Sequence, residues 1–593
     1  MAIPKRNYRQ SRPSHIKSKT VDTKKPKKVF IPKPNKGEIR TLVFGGISEI
    51  GKNMYGIEYN NTIVLLECGT MFGESSTPGV NAVMPNIQYL KDRKQDVKAL
   101  IVTDASMKHI GAIPYVTRAL GDPVLYTRKL TKAIIENHQN TLRGTLHVSF
   151  HEVEKAESVV VNDDVTLHFF GIADNAPSTL GVLIETPSGC IAYTGNLKVS
   201  HNKEIIRAEE EEAFKAAKEK DVILSLADSV GSERPGFAIT DHEIVEEVDQ
   251  MMQEAPHRVL IPLFPSQIKR NAMLLEKAFR AGKKTYVEGA LLLENLQTAS
   301  ELGIMQMPKE SLIPIQEMKK DDDSEEVFIA FTAEENEICE ALESISRESY
   351  RHTSVITKDT IIFPSPMISA NAQATQNLKD RLSRLGAITR SYNTSDVKGS
   401  GHANKSELRW MHQLLNAKFF IPVQGYHYML NAHTHILREL GMSQDSFAVP
   451  ENGSIIDVSP DGKVIKKQKQ RMETTAVSVD GHTLSPVQDV VVQDRNTLSQ
   501  EGIFIIIVFI DRKTLEVKKS PDIISRGFIY LRESQDLIAR VRIVIKKAAE
   551  KEAKETGRVE IDKMKKAIQK EVQTFLVNET NKRPIVVPVI FTQ

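Results

Sequence analysis

Five short apolar runs, VILSLAD (222–228), HRVLIPLF (257–264), KKTYVEG (283–289), EVFIAFT (326–332) and TIIFPSP (360–366), are separated by segments of helical character. Strands alternating with helices in this way predict a parallel sheet covered by helices, because each parallel connection needs a crossover long enough to hold one. The chain before them reads differently. IRTLVFGG, NMYGIEYN, TIVLLECG, VKALIVTD, VTLHFF, LGVLIET and CIAYTG follow one another closely, bounded by Gly, Asn or Asp, and predict a layered sheet with few helices. The charged segment EIIRAEEEEAFKAAKEKD (204–221) stands between the two regions as a helix. At 593 residues the chain exceeds what one core supports, so several domains are expected.

Strands and helices continue through FFIPVQG (419–425), and a third region closes the chain, with strands expected near 487–493, 502–510 and 586–591 around a long helical stretch, 534–577. The run IFIIIVFI (503–510) is far shorter than the roughly 20 residues of a membrane helix and reads as a buried strand. Cys68, Cys190 and Cys339 are scattered without metal-type spacing, and no apolar leader precedes them. A reducing, cytoplasmic setting with no membrane partner is therefore expected. Residues 1–40 hold 13 Lys/Arg against two Asp/Glu, an excess of 11 that leaves −8 for the rest of a chain whose net charge is +3. KKPKKVFIPKPNK has too little apolar periodicity to bury a core, so residues 1–39 are expected to be a disordered basic arm holding RNA phosphates.

TDASMKHIGAIPY (103–115) follows the apolar ALIV and has the form of a site loop at the carboxyl end of a strand. Together with GGISEIGKNMY (45–55), YTGNLK (193–198), DSVGSERPGF (228–237), GSGHANKSEL (399–408), FIPVQGYHYML (420–430), DIISRGFIYLRES (522–534) and RPIVVPVI (583–590), it makes the chain resemble the ribonuclease J family, bacterial metallo-β-lactamase/β-CASP nucleases. The resemblance runs in order from about residue 40 to the end. It implies an α/β fold: an αββα metallo-β-lactamase sandwich with an inserted β-CASP α/β domain and a small C-terminal α/β domain. The expected divisions are the arm 1–39, sandwich 40–205 and 377–452, β-CASP domain 206–376, linker 453–485 and C-terminal domain 486–593.

Active members of the family hold two divalent ions, which polarise the phosphate and lower the pKa of the attacking water. Their main ligand loop reads His-x-His-x-Asp-His; here the same positions are Asp104, Ser106, Lys108 and His109. The third-loop histidine is Asp174, the bridging aspartate is Asn196, and the late histidine of Pro-Val-His-Gly is Gln424. A neutral Asn196 cannot offset two adjacent cations. An ammonium at Lys108 repels each unit of cation charge by about 4 kcal/mol at ~4 Å and an effective dielectric of ~20. The expected outcome is no metal cofactor. If an ion is held, it is Zn, Mn or Mg, at most on Asp104, His109 and Asp174 with Glu67, a rebuilt single-ion site in which Lys108 replaces the second cation.

The resemblance also assigns the RNA-handling parts. The family's His-x-Ser-Gly-His phosphate grip reads Lys398, Gly399, Ser400, Gly401 and His402, with Lys398 replacing a proton-transfer histidine. Asp228 matches the β-CASP acidic motif, so Asp228 and Lys398 are the degenerate catalytic positions. LFPSQIKR keeps Phe264, Ser266 and Arg270 of the pocket for an RNA 5′ phosphate, with Lys269 for the family's histidine, whereas FTAEENE lacks the glycines of the loop it replaces. The expectation is an RNA-binding protein of RNA maturation and mRNA decay, catalytically inactive, partnered by an active ribonuclease J or by itself in a homo- or hetero-oligomer. The alternative is an active metal-dependent 5′-exo/endoribonuclease using the single-ion site.

Overall fold

A computed structural model describes residues 30–592 except 73–79, 81, 142–147, 155, 172–178, 203, 320–323, 325, 333–338, 364–371, 392–400, 481–482, 487–488 and 530–533. The arm before Phe30, Asp174, the 333–338 loop, Lys398, Gly399 and Ser400 lie outside the described residues.

The strand-dense first region folds into two facing sheets. One has eight strands in the order 465–467, 455–458, 39–45, 54–59, 62–66, 97–101, 124–127, 150–152; the other has six, 419–423, 222–228, 189–193, 180–186, 165–171, 158–162. Side-chain alternation builds the layers, since successive residues of a strand point to opposite faces. Val43, Val64 and Ile101 meet Leu167, Ile184, Ile191 and Leu224 between the sheets. Their neighbours Leu42, Leu65 and Leu100 face the outer core of the first sheet, and Leu183, Ala192 and Phe420 face Phe214, Leu408, Met411 and Ile436 on the helices that cover the second. This is the expected αββα sandwich.

The chain leaves the second sheet after Asp228 and returns at Phe419–Val423, which pairs in parallel with Val222–Asp228. Between them lies a six-stranded parallel sheet, ordered 312–314, 284–288, 327–332, 259–263, 360–363, 388–391. Helices Asp241–Gln253, Ile268–Arg280 and Ala290–Glu301 pack on one face, Glu340–Ser346 and Ala372–Arg384 on the other. Two strands fall across the divisions expected at 206 and 377. Val222–Asp228 belongs to the sandwich and Ile388–Ser391 to the inserted sheet. Strand character in a segment does not itself say which sheet will accept it.

The stretch 453–485, expected as a linker, supplies sandwich strands 455–458 and 465–467 and pairs Val477–Asp480 with Ala82–Met84. The strand expected near 487–493 is instead part of the helix Asp489–Glu501. IFIIIVFI is a strand buried at every second residue, with Phe504, Ile506 and Val508 against Val541, Ile545 and Ile568. The helical stretch that follows is two helices, Gln535–Thr556 and Ile561–Thr580, broken where Gly557 takes the left-handed conformation. Among the described residues no helix is long and apolar enough to cross a membrane. Cys68, Cys190 and Cys339 are free and buried.

Candidate functional site

Five strands of the sandwich end at one edge and deliver Glu67, Thr103 with Asp104, Asn196, Asp228 and Gln424 at their ends or in the loops that follow. Two of these, Glu67 and Gln424, have left-handed backbones (φ 62° and 57°), a conformation costly for residues with a Cβ and retained where a side chain must be aimed. Gly69 permits the next step. A Cβ there would lie 1.5 Å from the Lys108 carbonyl oxygen, so only glycine lets the 107–110 helix close against the Glu67 loop.

The side chains so delivered bond to one another. His109 Nδ1 lies 3.1 Å from Asp104 Oδ2 and 3.5 Å from Glu67 Oε2, with all three groups nearly or fully buried. Asp104 also accepts from Asn196 Nδ2 at 2.7 Å and from the Ser106 amide at 2.7 Å. Glu67 accepts from the Thr103 hydroxyl at 2.5 Å, the Thr103 amide at 3.2 Å and the Tyr193 hydroxyl at 3.1 Å. Gln424 Nε2 closes the ring, 3.4 Å from His109 Nε2 and 3.5 Å from the Tyr193 oxygen.

The electrostatics follow from this packing. Burial opposes a charge on His109, yet Asp104 and Glu67 beside it push its pKa up to about 9. Burial likewise works against the Asp104 carboxylate, but His109 and Ser106 hold it well below the usual carboxylate range. Burial dominates at Glu67, where, with Asp104 adding to it, the pKa rises to about 7. The cluster is an imidazolium–carboxylate pair with a second carboxyl that readily keeps its proton.

This donor set does not fit a pair of divalent ions. The one imidazole and both carboxylates are turned onto protein partners, and the bridging position is an amide that donates to Asp104 instead of offering charge. Among the described residues no three His, Cys, Asp or Glu side chains form a group suited to a metal ion. Two neutral oxygens, Asn196 Oδ1 and Ser106 Oγ, are buried without a hydrogen-bond partner. They lend dipoles, not the negative charge that two adjacent cations require.

Of the neighbouring positions expected to handle RNA, the described ones are brought together in part. His402 Nδ1 lies 2.5 Å from Asp228 Oδ2, and Asp228 Oδ1 accepts from the Val230 amide, so Asp228, His402 and the adjacent Gly401 sit beside the cluster's edge of the sandwich. Behind Asp228, Ser229 Oγ is 3.0 Å from His433 Nδ1, and His433 Nε2 is 2.9 Å from His412 Nε2. Burial drives both imidazoles down, His412 to about 3, and keeps this string neutral.

Phe264 and Ser266 are partly exposed at the end of strand 259–263. Arg270 is placed differently from a phosphate ligand on a pocket wall. It is buried, its Nε and Nη2 donate to Asp241 Oδ1 at 2.9 and 2.6 Å, and its Nη1 donates to Gln267. Lys198, from the sandwich loop, stands 3.6 Å from the same carboxylate, so Asp241 links Arg270 of the inserted domain to the sandwich. Sequence reasoning passed over Thr103, Tyr193 and Arg234. The first two open the 103–115 and 193–198 segments, but nothing local marks a hydroxyl that will bond a carboxylate far away in the chain.

The model for the Ribonuclease J beta-CASP domain matches residues 256–382, and that for the Ribonuclease J C-terminal domain matches residues 490–593. The chain is 29% identical over 558 residues to Ribonuclease J2 of Bacillus subtilis (strain 168), covering 94% of this chain and 99% of that protein. It is equally 29% identical to Ribonuclease J 2 of Staphylococcus aureus (strain MRSA252), over 95% of this chain and 99% of the relative, and to Ribonuclease J 1 of Streptococcus pyogenes serotype M3, over 94% and 98%. With the αββα sandwich, the inserted parallel sheet and the C-terminal domain all in place along one chain, this protein belongs to the ribonuclease J family.

Proposed function

We propose that this protein serves RNA processing as a catalytically silent ribonuclease J-type RNA-binding protein, working with an active ribonuclease J or with further copies of itself. The observation that carries the reading is the closed cluster of Glu67, Asp104, His109, Asn196 and Gln424, in which hydrogen bonds and one ion pair occupy the groups that would otherwise face metal. A hydrolytic route through two ions needs charge on both the attacking and the departing oxygen. These residues supply no pair of ions to provide it. The retained Asp228–His402 pair and the sequence's Ser-Gly-His segment support RNA contact without cleavage.

A second reading rests on Asn196 Oδ1 and Ser106 Oγ, the two unpartnered oxygens beside Asp104, which suit a single hard cation such as Mg²⁺ or Mn²⁺. One experiment separates the two. The purified protein is incubated with 5′-monophosphorylated single-stranded RNA and Mn²⁺ or Mg²⁺, beside its His109→Ala variant, and its metal content is measured. The silent reading expects less than one tightly held ion per chain, RNA bound and not cut. Two Zn²⁺ or Mn²⁺ per chain, or a cleavage rate that His109→Ala abolishes, overturns it.

A further inference from the structure

Immediately after Gln424, the segment GYHYML turns into the helix His427–Glu439 and leaves three aromatic side chains in a row at the surface. Tyr426 and Tyr428 are 40% and 52% exposed, large values for tyrosines set between the buried Gly425 and Met429. Their rings lie with centroids 6.1 Å apart and planes within 7° of parallel. The backbone beneath is held firmly. Gly425 O accepts from the Ser48 amide at 3.0 Å, and Met429 O accepts from the Ser232 hydroxyl at 2.7 Å, tying the turn to both the 45–53 and 228–237 loops. The same 228–237 loop brings Arg234, whose Nη1 is buried without a hydrogen-bond partner and whose charge acts on both Asp228 and the Tyr428 hydroxyl.

We propose that Tyr426 and Tyr428 form a stacking platform for the unpaired bases of a single-stranded RNA passing the Asp228–His402 edge, with Arg234 contacting its backbone. The proposal rests on the RNA-binding reading above and names the surface that carries it. Two nearly parallel rings presented by a firmly held backbone offer a base a flat partner at little ordering cost, and stacking tolerates any base sequence because each base has a π-face. The Arg234 guanidinium, near enough for its charge to act on the Tyr428 hydroxyl, is complementary to phosphate. A protein partner is less well matched, because Gly425 and Met429 on either side of the row are buried and the row itself presents only a narrow apolar face.

The test uses the full chain and a short 5′-monophosphorylated oligoadenylate, with affinity read by fluorescence anisotropy. The paired substitution Tyr426→Ala and Tyr428→Ala is expected to weaken binding at least about 5-fold, the low end for losing one base stack. Tyr426→Phe with Tyr428→Phe, which keeps the rings, is expected to bind like wild type, and an abasic oligomer is expected to be indifferent to the alanine change. Arg234→Gln is expected to flatten the dependence of log K on log salt by roughly 0.7, one single-strand phosphate contact. Unchanged affinity in the double alanine variant, with its thermal midpoint preserved, overturns the platform and leaves the tyrosines to a protein partner. Failure of the wild-type chain to bind the oligomer at all overturns the RNA-binding reading itself.

Discussion

Replacing His109 by alanine isolates what holds the cluster together. Among the described residues the imidazolium is the cation paired with the buried Asp104 carboxylate, which also accepts from Asn196 and the Ser106 amide. At 1.36 kcal/mol per pKa unit, the rise from 6.5 to about 9 is worth about 3 kcal/mol of folding free energy. That agrees with the ~3–5 kcal/mol usual for removing one partner of a buried pair. The sign is set by the raised pKa. The contribution is complete below pH ~6.5, where the unfolded imidazole is also charged, declines above it, and is gone once the pH has passed the folded value near 9. The single tryptophan, Trp410, packs against Phe214 beneath the second sandwich sheet, so its fluorescence follows the unfolding of the site-bearing domain in urea. His109→Ala is expected to lower that stability by about 3 kcal/mol at pH 6, and the gap is expected to close at about pH 10. On the proposed metal-free reading, a chelator should leave both values unchanged. A difference below about 1 kcal/mol at pH 6, a gap independent of pH, or one that disappears with chelator would each refute the reasoning.

Three further outcomes are expected. Arg258→Met removes both guanidinium bonds to the fully buried Asp359, at 3.0 and 2.6 Å, and should destabilise the inserted domain by about 3–5 kcal/mol, measured by hydrogen exchange on strands 259–263 and 360–363; protection lowered by less than about 1 kcal/mol contradicts this. Rebuilding only the first loop, with Asp104→His, Ser106→His and Lys108→Asp, should leave cleavage of 5′-monophosphorylated RNA at background in Mn²⁺, since Asn196 and Gln424 still lack the bridging and distal ligands; a turnover above wild type speaks against the assignment. Deleting residues 1–29, which carry 10 of the 13 cationic residues in 1–40, should weaken RNA binding and reduce the slope of log K against log salt, and an unaltered slope removes the arm from the interface.

The sequence by itself determined the fold class and the order of the family's segments, and it named the residues that stand at the family's metal-ligand positions. Period-two strands and βα alternation are local properties of the chain, and the identities of Asp104, Ser106, Lys108, Asn196 and Gln424 can be read off one residue at a time. Which sheet each strand joins was not legible there. Val222–Asp228 is largely apolar and Ile388–Ser391 mostly polar, and neither composition names a sheet; the pairing edges open to them in three dimensions decide it. QDVVVQDR has the composition of a strand and yet enters the helix Asp489–Glu501, because tertiary context overrides β propensity. The fate of the surviving site groups was likewise a tertiary decision. Whether Glu67, Asp104 and His109 face an opening or one another depends on hydroxyls and amides at positions 103, 193 and 424, brought together by strands that are distant in the chain. The same holds for Arg270, a phosphate ligand by motif and a buried partner of Asp241 in the fold, since a guanidinium takes whichever oxygen the packing places within reach.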